Sequence, residues 1–193
     1  KTYLLGLINS LYVPDGFKLN VIVIEADTGE NGVAYKYWKS NKKYKNLPEP
    51  IYDYWNRDIK KSEIGCFNSH MGIIKTINRK NNDENTINLI LEDDATFSIN
   101  FLYQLKEIYS ELVINDTNWD ICFLGRNKLS NNKSLSKNIE HTGYSYNAHC
   151  YIISNKCSKI ISNINLDKKI IPYDEFIPCL SWDHPRNSLN KLY

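Results

Sequence analysis

Three consecutive carboxylates, Glu92-Asp93-Asp94, stand directly after the apolar run Asn88-Leu89-Ile90-Leu91. Neighbouring anions repel one another, and a carboxylate taken out of bulk water needs a partner. A divalent cation answers both demands. Oxygen-only ligands suit Mn²⁺ or Mg²⁺, and such an ion keeps coordination positions open for a substrate phosphate. The same residues also make an ordinary acidic turn that closes a strand, and the tripeptide alone does not separate the two. A second acidic stretch, Glu25-Ala26-Asp27-Thr28-Gly29, follows the apolar residues 19–24 and suits either a tight turn or a grip on a nucleoside. Ser69 and His70 fall in the middle of a helical pattern, where a histidine can bond backbone in the core or face a substrate cleft. Asp174-Glu175 opens another helical pattern, where acids also serve simply to stabilise the first turn.

These groups need elements to hold them. Residues 88–91 are too few for a helix and predict a buried central strand, and ligands bind at the carboxyl ends of strands in an open α/β sheet. Residues 2–13 are apolar at mixed spacing, a short helix or a strand, and Pro14-Asp15-Gly16 is a turn. Residues 19–24 (Leu-Asn-Val-Ile-Val-Ile) predict a strand. Residues 30–60, polar, aromatic and broken by Pro48 and Pro50, read as a long surface loop with one short helix near 35–40. Residues 62–80 carry the clearest helical pattern, with Ser62 as cap, Glu63 in the first turn, and Ile64, Phe67, Met71, Ile74 and Ile77 on one face. A polar loop at 81–85 precedes the acid-ended strand. Beyond it come a helix over 100–114, a strand over 119–125, a solvated loop over 126–140, a strand over 144–154, a helix over 155–164, and a last helix with Pro172 at its first position. The alternation implies a single-domain α/β layer fold over residues 1–193 with a mostly parallel sheet.

Composition narrows the function classes. With 42% hydrophobic and 24% charged residues, 193 residues can bury one good core. The formal charge of +2 is spread along the chain, which leaves no nucleic-acid footprint. No apolar run is long enough to span a bilayer and no signal-peptide pattern opens the chain. The five cysteines have neither CxxC pairing nor metal-ligand spacing, and Cys66 and Cys122 fall in apolar patterns as free buried thiols.

Several blocks then fall in one order. Ser62-Glu63-Ile64-Gly65-Cys66-Phe67-Asn68-Ser69-His70 resembles G-E-[IL]-G-C-[FY]-x-S-H, and Leu91-Glu92-Asp93-Asp94 resembles L-E-D-D. Trp119-Asp120 with Leu124-Gly125-Arg126 resembles W-D…x-G-R, and Pro172-Tyr173-Asp174-Glu175-Phe176 resembles P-V-D-E-[FY]. Across roughly residues 18–186 the chain is similar to glycosyltransferase family 25, which contains bacterial lipooligosaccharide galactosyltransferases and procollagen hydroxylysine galactosyltransferases. Tyr144-Ser145-Tyr146, Tyr151-Ile152-Ile153-Ser154 and Asp183-His184-Pro185 lean towards the collagen branch.

The resemblance implies a GT-A type, Rossmann-like transferase that uses a UDP-sugar and Mn²⁺ (or Mg²⁺). It implies Asp94 as the metal ligand, with Glu92 and Asp93 as further ligands or as groups that support it and the donor. The collagen branch inverts the anomeric centre, which needs a base for the acceptor hydroxyl. Asp174 is the first choice for that base and Glu175 the second. Ala26 and Asp27 align with the family's A-V-D-G segment near the nucleoside, although Thr28 intervenes before Gly29. Glu63, Ser69 and His70 line the donor pocket if their helix faces it. Arg126 contacts acceptor or diphosphate, or is a surface arginine. The implied partners are a UDP-hexose and either a collagen-like hydroxylysine or a glycan acceptor; a non-catalytic binding module is the contrasting reading. A collagen-modifying role places the protein in a secretory lumen, or in the host cell if the source is viral. At both ends the chain falls short of the family pattern: the first βα unit is either missing or diverged, and without the segment beyond Asp183-His184-Pro185 the chain is either a fragment or a form with an incomplete donor pocket.

Overall fold

A computed structural model describes residues 2–30, 59–80, 86–164 and 172–181. The helices and strands in chain order are α1 (Thr2–Ser10), α2 (Lys61–Lys80), β1 (Asn88–Leu91), α3 (Phe101–Asn115), β2 (Ile121–Lys128), β3 (Lys133–Ser134), β4 (Glu140–His141), β5 (Ser145–Ile153), α4 (Asn155–Ser162) and α5 (Tyr173–Cys179). They group into two compact units, residues 1–23 with 82–157 and residues 24–81 with 158–193. The short helix expected near 35–40 and the polar loop at 81–85 lie outside the described residues.

The first unit is a three-stranded sheet with a helix on one face. Its strand order is β1-β5-β2, and β5 runs antiparallel to both neighbours. This corrects the mostly parallel sheet expected from the alternation of elements, and it makes β5, not β1, the middle described strand. The cause lies in the connections. β1 and β2 run the same way because α3 carries the chain back between them, as parallel strands require. Between β2 and β5 the chain makes the small hairpin β3–β4 in place of a helix, so it returns in the opposite direction. The region expected as a solvated loop over 126–140 therefore holds the end of β2 and that hairpin.

Register and alternation sort the side chains. Leu89, Ile152 and Cys122 form one row across the three strands. All three belong to the core built by Leu102, Leu105 and Leu112 of α3 together with Ile139. Ile90, Tyr151 and Phe123 form the next row on the opposite face, where Ile90 and Tyr151 are buried. The Asn88 amide, also buried, donates to Asn155 Oδ1 at 2.8 Å and so fixes the start of β1 to the start of α4.

The expected strand over 19–24 does not form a ladder. The segment has no regular secondary structure and no strand partner among the described residues, and it leaves Ile22 50% exposed. Its β-branched side chains favour extended backbone, but a strand also needs its N–H and C=O groups paired by a neighbour. Upstream, the open choice over 2–13 resolves to helix, and the expected turn forms with Phe17 N–H donating to Pro14 C=O at 3.0 Å and Gly16 at φ +81°.

The second unit is built on α2. Ile64, Phe67, Met71 and Ile74 are buried along one stripe, as their spacing requires. The helix begins before the expected Ser62 cap. Lys60 C=O accepts from Glu63 and Ile64 N–H, and Lys60 N–H donates back to Glu63 Oε2 at 2.8 Å, the returning half of a capping box. Phe67 meets Tyr173 and Phe176 of α5 edge-on, with ring centroids 6.2 and 5.4 Å apart, and Asn78 donates to Ser162 of α4 at 2.9 Å.

Candidate functional site

The acidic trio occupies a turn at the carboxyl end of β1. Glu92 N–H still donates to His149 C=O of β5 at 2.9 Å, and Ala95 N–H then donates to Glu92 C=O at 3.2 Å. Asp93 and Asp94 are the two corner residues of that turn. Both are exposed, whereas Glu92 is half-buried. Among the described residues the Asp94 carboxylate has no hydrogen-bond or ion-pair partner. Three oxygen donors on consecutive residues at a strand end suit a hard divalent cation.

The roles of two residues beside this turn emerge only in the structure. His149 shares a sheet face with Glu92 by alternation from Leu91, which stands opposite Cys150. Its imidazole lies over Gly125, where an added Cβ would come within 2.5 Å of Nε2. Register shifts flank Gly125, and Asn147 adopts φ +73° nearby on β5. Bulges of this kind re-aim side chains at sheet ends. A glycine inside the apolar run of β2 was the available signal, since it marks close approach of another group.

On the other sheet face, Arg126 is not a surface arginine: its side chain is only 8% exposed. Its guanidinium meets Glu140 Oε2 at 3.3 Å, and Lys128 reaches the same oxygen at 2.7 Å, joined by the Asn132 amide. The hydrogen bonds from Lys128 and Asn132 hold the Glu140 carboxyl below its ordinary range. Arg126 thus ties the end of β2 to the β3–β4 hairpin. Cys66, Cys122, Cys150 and Cys157 are all free. Burial pushes the Cys122 and Cys150 thiols up to about 11 and Cys157 to about 12, so all three are protonated near neutral pH and poor nucleophiles.

The second unit gathers the other candidates. Ala26 and Asp27 are exposed in the 25–29 loop, which lies on the first turns of α2. Asp27 Oδ1 accepts from Gly29 N–H at 2.6 Å, and Asp27 N–H donates to Ser69 Oγ at 2.9 Å. Ser69 Oγ itself donates to Gly65 C=O at 2.7 Å. Glu63 is engaged at the start of α2. His70 is 3% exposed and stacks on Tyr173, centroids 4.0 Å apart and planes within 9°. In α5, Pro172 is the N-cap, one position earlier than expected, so Asp174 sits inside the first turn and does not cap it. Asp174 is half-buried and Glu175 wholly enclosed, at 0% exposure. Asp27, Ser69 and Glu63 are thus brought onto one stretch of α2, and His70 beside the start of α5.

The model of glycosyltransferase family 25 (LPS biosynthesis protein) matches residues 18–177. Procollagen galactosyltransferase 1-B of Xenopus laevis is 32% identical over 146 residues, covering 73% of this chain and 23% of the relative. The procollagen lysyl hydroxylase and glycosyltransferase of Acanthamoeba polyphaga mimivirus is 29% identical over 173 residues, 86% of this chain and 18% of the relative. A probable inactive glycosyltransferase 25 family member 3 of Bos taurus is 27% identical over 143 residues, 72% of this chain and 24% of the relative. The chain therefore spans about a quarter or less of the length of these curated relatives. No solved structure matches it. No described helix is long and apolar enough to cross a membrane. With most of its length matched by the family model and with procollagen galactosyltransferases among its relatives, the chain belongs to glycosyltransferase family 25, nearest the procollagen branch.

Proposed function

We propose that the chain carries a metal-dependent transferase activity, moving galactose or glucose from a UDP-sugar to hydroxylysine of a collagen-like protein with inversion, on a GT-A type scaffold. The family, a glycosyltransferase family, supports the transfer chemistry, and the names of the Xenopus and mimivirus relatives support the acceptor. The observation that carries the reading is the Asp94 carboxylate, exposed at the corner of the turn after β1 with no partner among the described residues. A carboxylate already paired with Lys or Arg would be poorly placed to take a metal.

In this reading Asp94, with Glu92 and Asp93, holds Mn²⁺ or Mg²⁺. When bound, such an ion supplies Lewis-acid stabilisation of the departing diphosphate. Asp27, fixed in its loop, faces the ribose. Asp174 takes the proton from the acceptor hydroxyl, because it keeps exposure that Glu175 lacks. The Asp174→Asn variant keeps the helix start, which Pro172 caps, and removes the base.

The test is turnover of UDP-galactose and UDP-glucose, with hydroxylysine peptide and with a lactose-type acceptor, with and without Mn²⁺. Activity that needs Mn²⁺, prefers the hydroxylysine peptide and disappears in Asp94→Asn supports the reading. Wild-type rates in Asp94→Asn would remove the acidic turn from the mechanism, and preference for the glycan acceptor would move the assignment to the lipooligosaccharide branch.

A further inference from the structure

We propose that Ser69 and Gly65 are positioning residues that latch the 25–29 loop to α2 and so aim Asp27 at the nucleotide. The inference rests on reading that loop as the nucleoside-facing one. Four residues of two segments distant in sequence form the latch. A serine inside a helix commonly bonds the carbonyl four residues back and nothing else. Ser69 does bond Gly65 C=O at 2.7 Å, but its oxygen also accepts the Asp27 N–H at 2.9 Å, from 42 positions upstream. Its one proton is committed to Gly65, so Ser69 has no donor left for a ligand. It acts through Asp27.

Glycines allow the two backbones to come this close. A Cβ on Gly65 would land on the Asp27 carbonyl oxygen, and one on Gly29 would land on the Lys61 carbonyl oxygen. Gly29 also holds φ +75°, which favours glycine on its own account. Its N–H in turn clamps Asp27 Oδ1 at 2.6 Å. The outcome is a carboxylate whose backbone is held by Ser69 and whose first oxygen is held by Gly29. Its second oxygen is uncommitted among the described residues. A fixed acceptor of that kind suits a vicinal diol, such as the ribose of a uridine nucleotide. Without the latch the carboxylate remains but its direction is lost, and orientation is the part of binding that a flexible loop must supply anew.

The experiment measures UDP binding in the presence of Mn²⁺ by calorimetry, with thermal unfolding alongside, on the 193-residue chain and on Ser69→Ala, Ser69→Thr and Gly65→Ala. Ser69→Ala is expected to weaken UDP by about five- to tenfold, one hydrogen bond's worth. Ser69→Thr keeps the hydroxyl and should restore affinity to within about twofold of the parent, since threonine makes the same backbone bond in helices. Gly65→Ala should weaken UDP at least as much as Ser69→Ala. Yet alanine is the better helix former, so the melting temperature should not fall in step. In turnover assays the donor KM rises while kcat stays near the parent's. Unchanged UDP affinity in both Ser69→Ala and Gly65→Ala, against a parent that binds, overturns the latch and leaves the nucleotide reading standing. Affinity lost only in proportion to a falling melting temperature, without rescue by threonine, overturns it too. A parent chain that does not bind UDP at all overturns the nucleotide reading and the latch with it.

Discussion

Two turns of this chain are composed of almost the same residues, Val-Ile-Val-Ile-Glu-Ala-Asp at 21–27 and Leu-Ile-Leu-Glu-Asp-Asp at 89–94, yet the protein builds them in opposite ways. In the second, the apolar run pairs with β5 and the acids that follow are presented at the corners of a turn. In the first, the apolar run pairs with no described strand, and the acid is tied down by Gly29 and Ser69. One turn has its backbone anchored by a sheet and leaves Asp94 uncommitted. The other lacks a sheet anchor and fixes its loop through a helix. An apolar run ending in carboxylates therefore specifies where the acids stand, but not how the carboxylate is held.

Asp94→Asn against Asp27→Asn is the sharpest form of that contrast. If Asp94 holds the metal as proposed, the first should cut Mn²⁺-dependent turnover by about a hundredfold or more, because a neutral amide replaces a charged ligand. If Asp27 faces the ribose as proposed, the second should leave kcat near the parent's and raise the donor KM about tenfold, since an amide oxygen still accepts from Gly29 while the charge is gone. Neither should unfold the chain. Equal losses of kcat in the two variants would erase the distinction between a ligand of the reacting centre and a loop that orients the donor.

Stability should separate the turns next. Gly29→Ala places a side chain at positive φ and against the Lys61 carbonyl, which should cost about 1–3 kcal/mol in urea unfolding. Gly125→Ala meets only the far end of the His149 ring. That ring can swing aside, so a cost of about 1 kcal/mol is expected. If Gly125→Ala proves the more damaging, His149 is locked where it lies and the end of the sheet is more rigid than the loop on α2.

Much of this arrangement was legible beforehand, and the failures have physical causes. The stripe on α2 and the core positions of α3 follow from helical spacing, and strands β2 and β5 from their apolar runs, but of the two only β5 is buried as expected and β2 is half-buried along its apolar part. Sheet direction was not legible, because it depends on whether a connection contains a crossover helix, and the hairpin β3–β4 is only two residues a side. The 19–24 segment misled for a related reason: its residue types favour extended backbone but carry no information about a partner. Among the site candidates, Glu92 to Asp94 could be singled out because a run of charge stands out. The roles of Gly65, Gly125 and His149 could not, since they arise from close approach between segments far apart in the chain. The order of burial within Asp174-Glu175 was equally hidden until helix α5 fixed which carboxylate turns inward.

The smallest expected effect lies at the hairpin that reversed the sheet. Lys128, Asn132 and Arg126 converge on one oxygen of Glu140, and these hydrogen bonds hold its carboxyl below the ordinary 4.5. A depressed carboxyl contributes stability that is fully present above its unfolded value and is lost as pH falls through the folded one. The parent should therefore lose this contribution only below about pH 4.5, in a window that Glu140→Gln no longer has. Because Glu140 is exposed to solvent, the effect is modest and shrinks with salt. Glu111, also held low by Ser136 and Asn138, leaves a residual acid slope in the variant. Unfolding followed from pH 7 to pH 3 should show the two proteins differing most near neutrality and converging as Glu140 of the parent protonates. A constant offset across that range would mean that shape and not charge joins the hairpin to β2, and that Arg126 is buried there for packing alone.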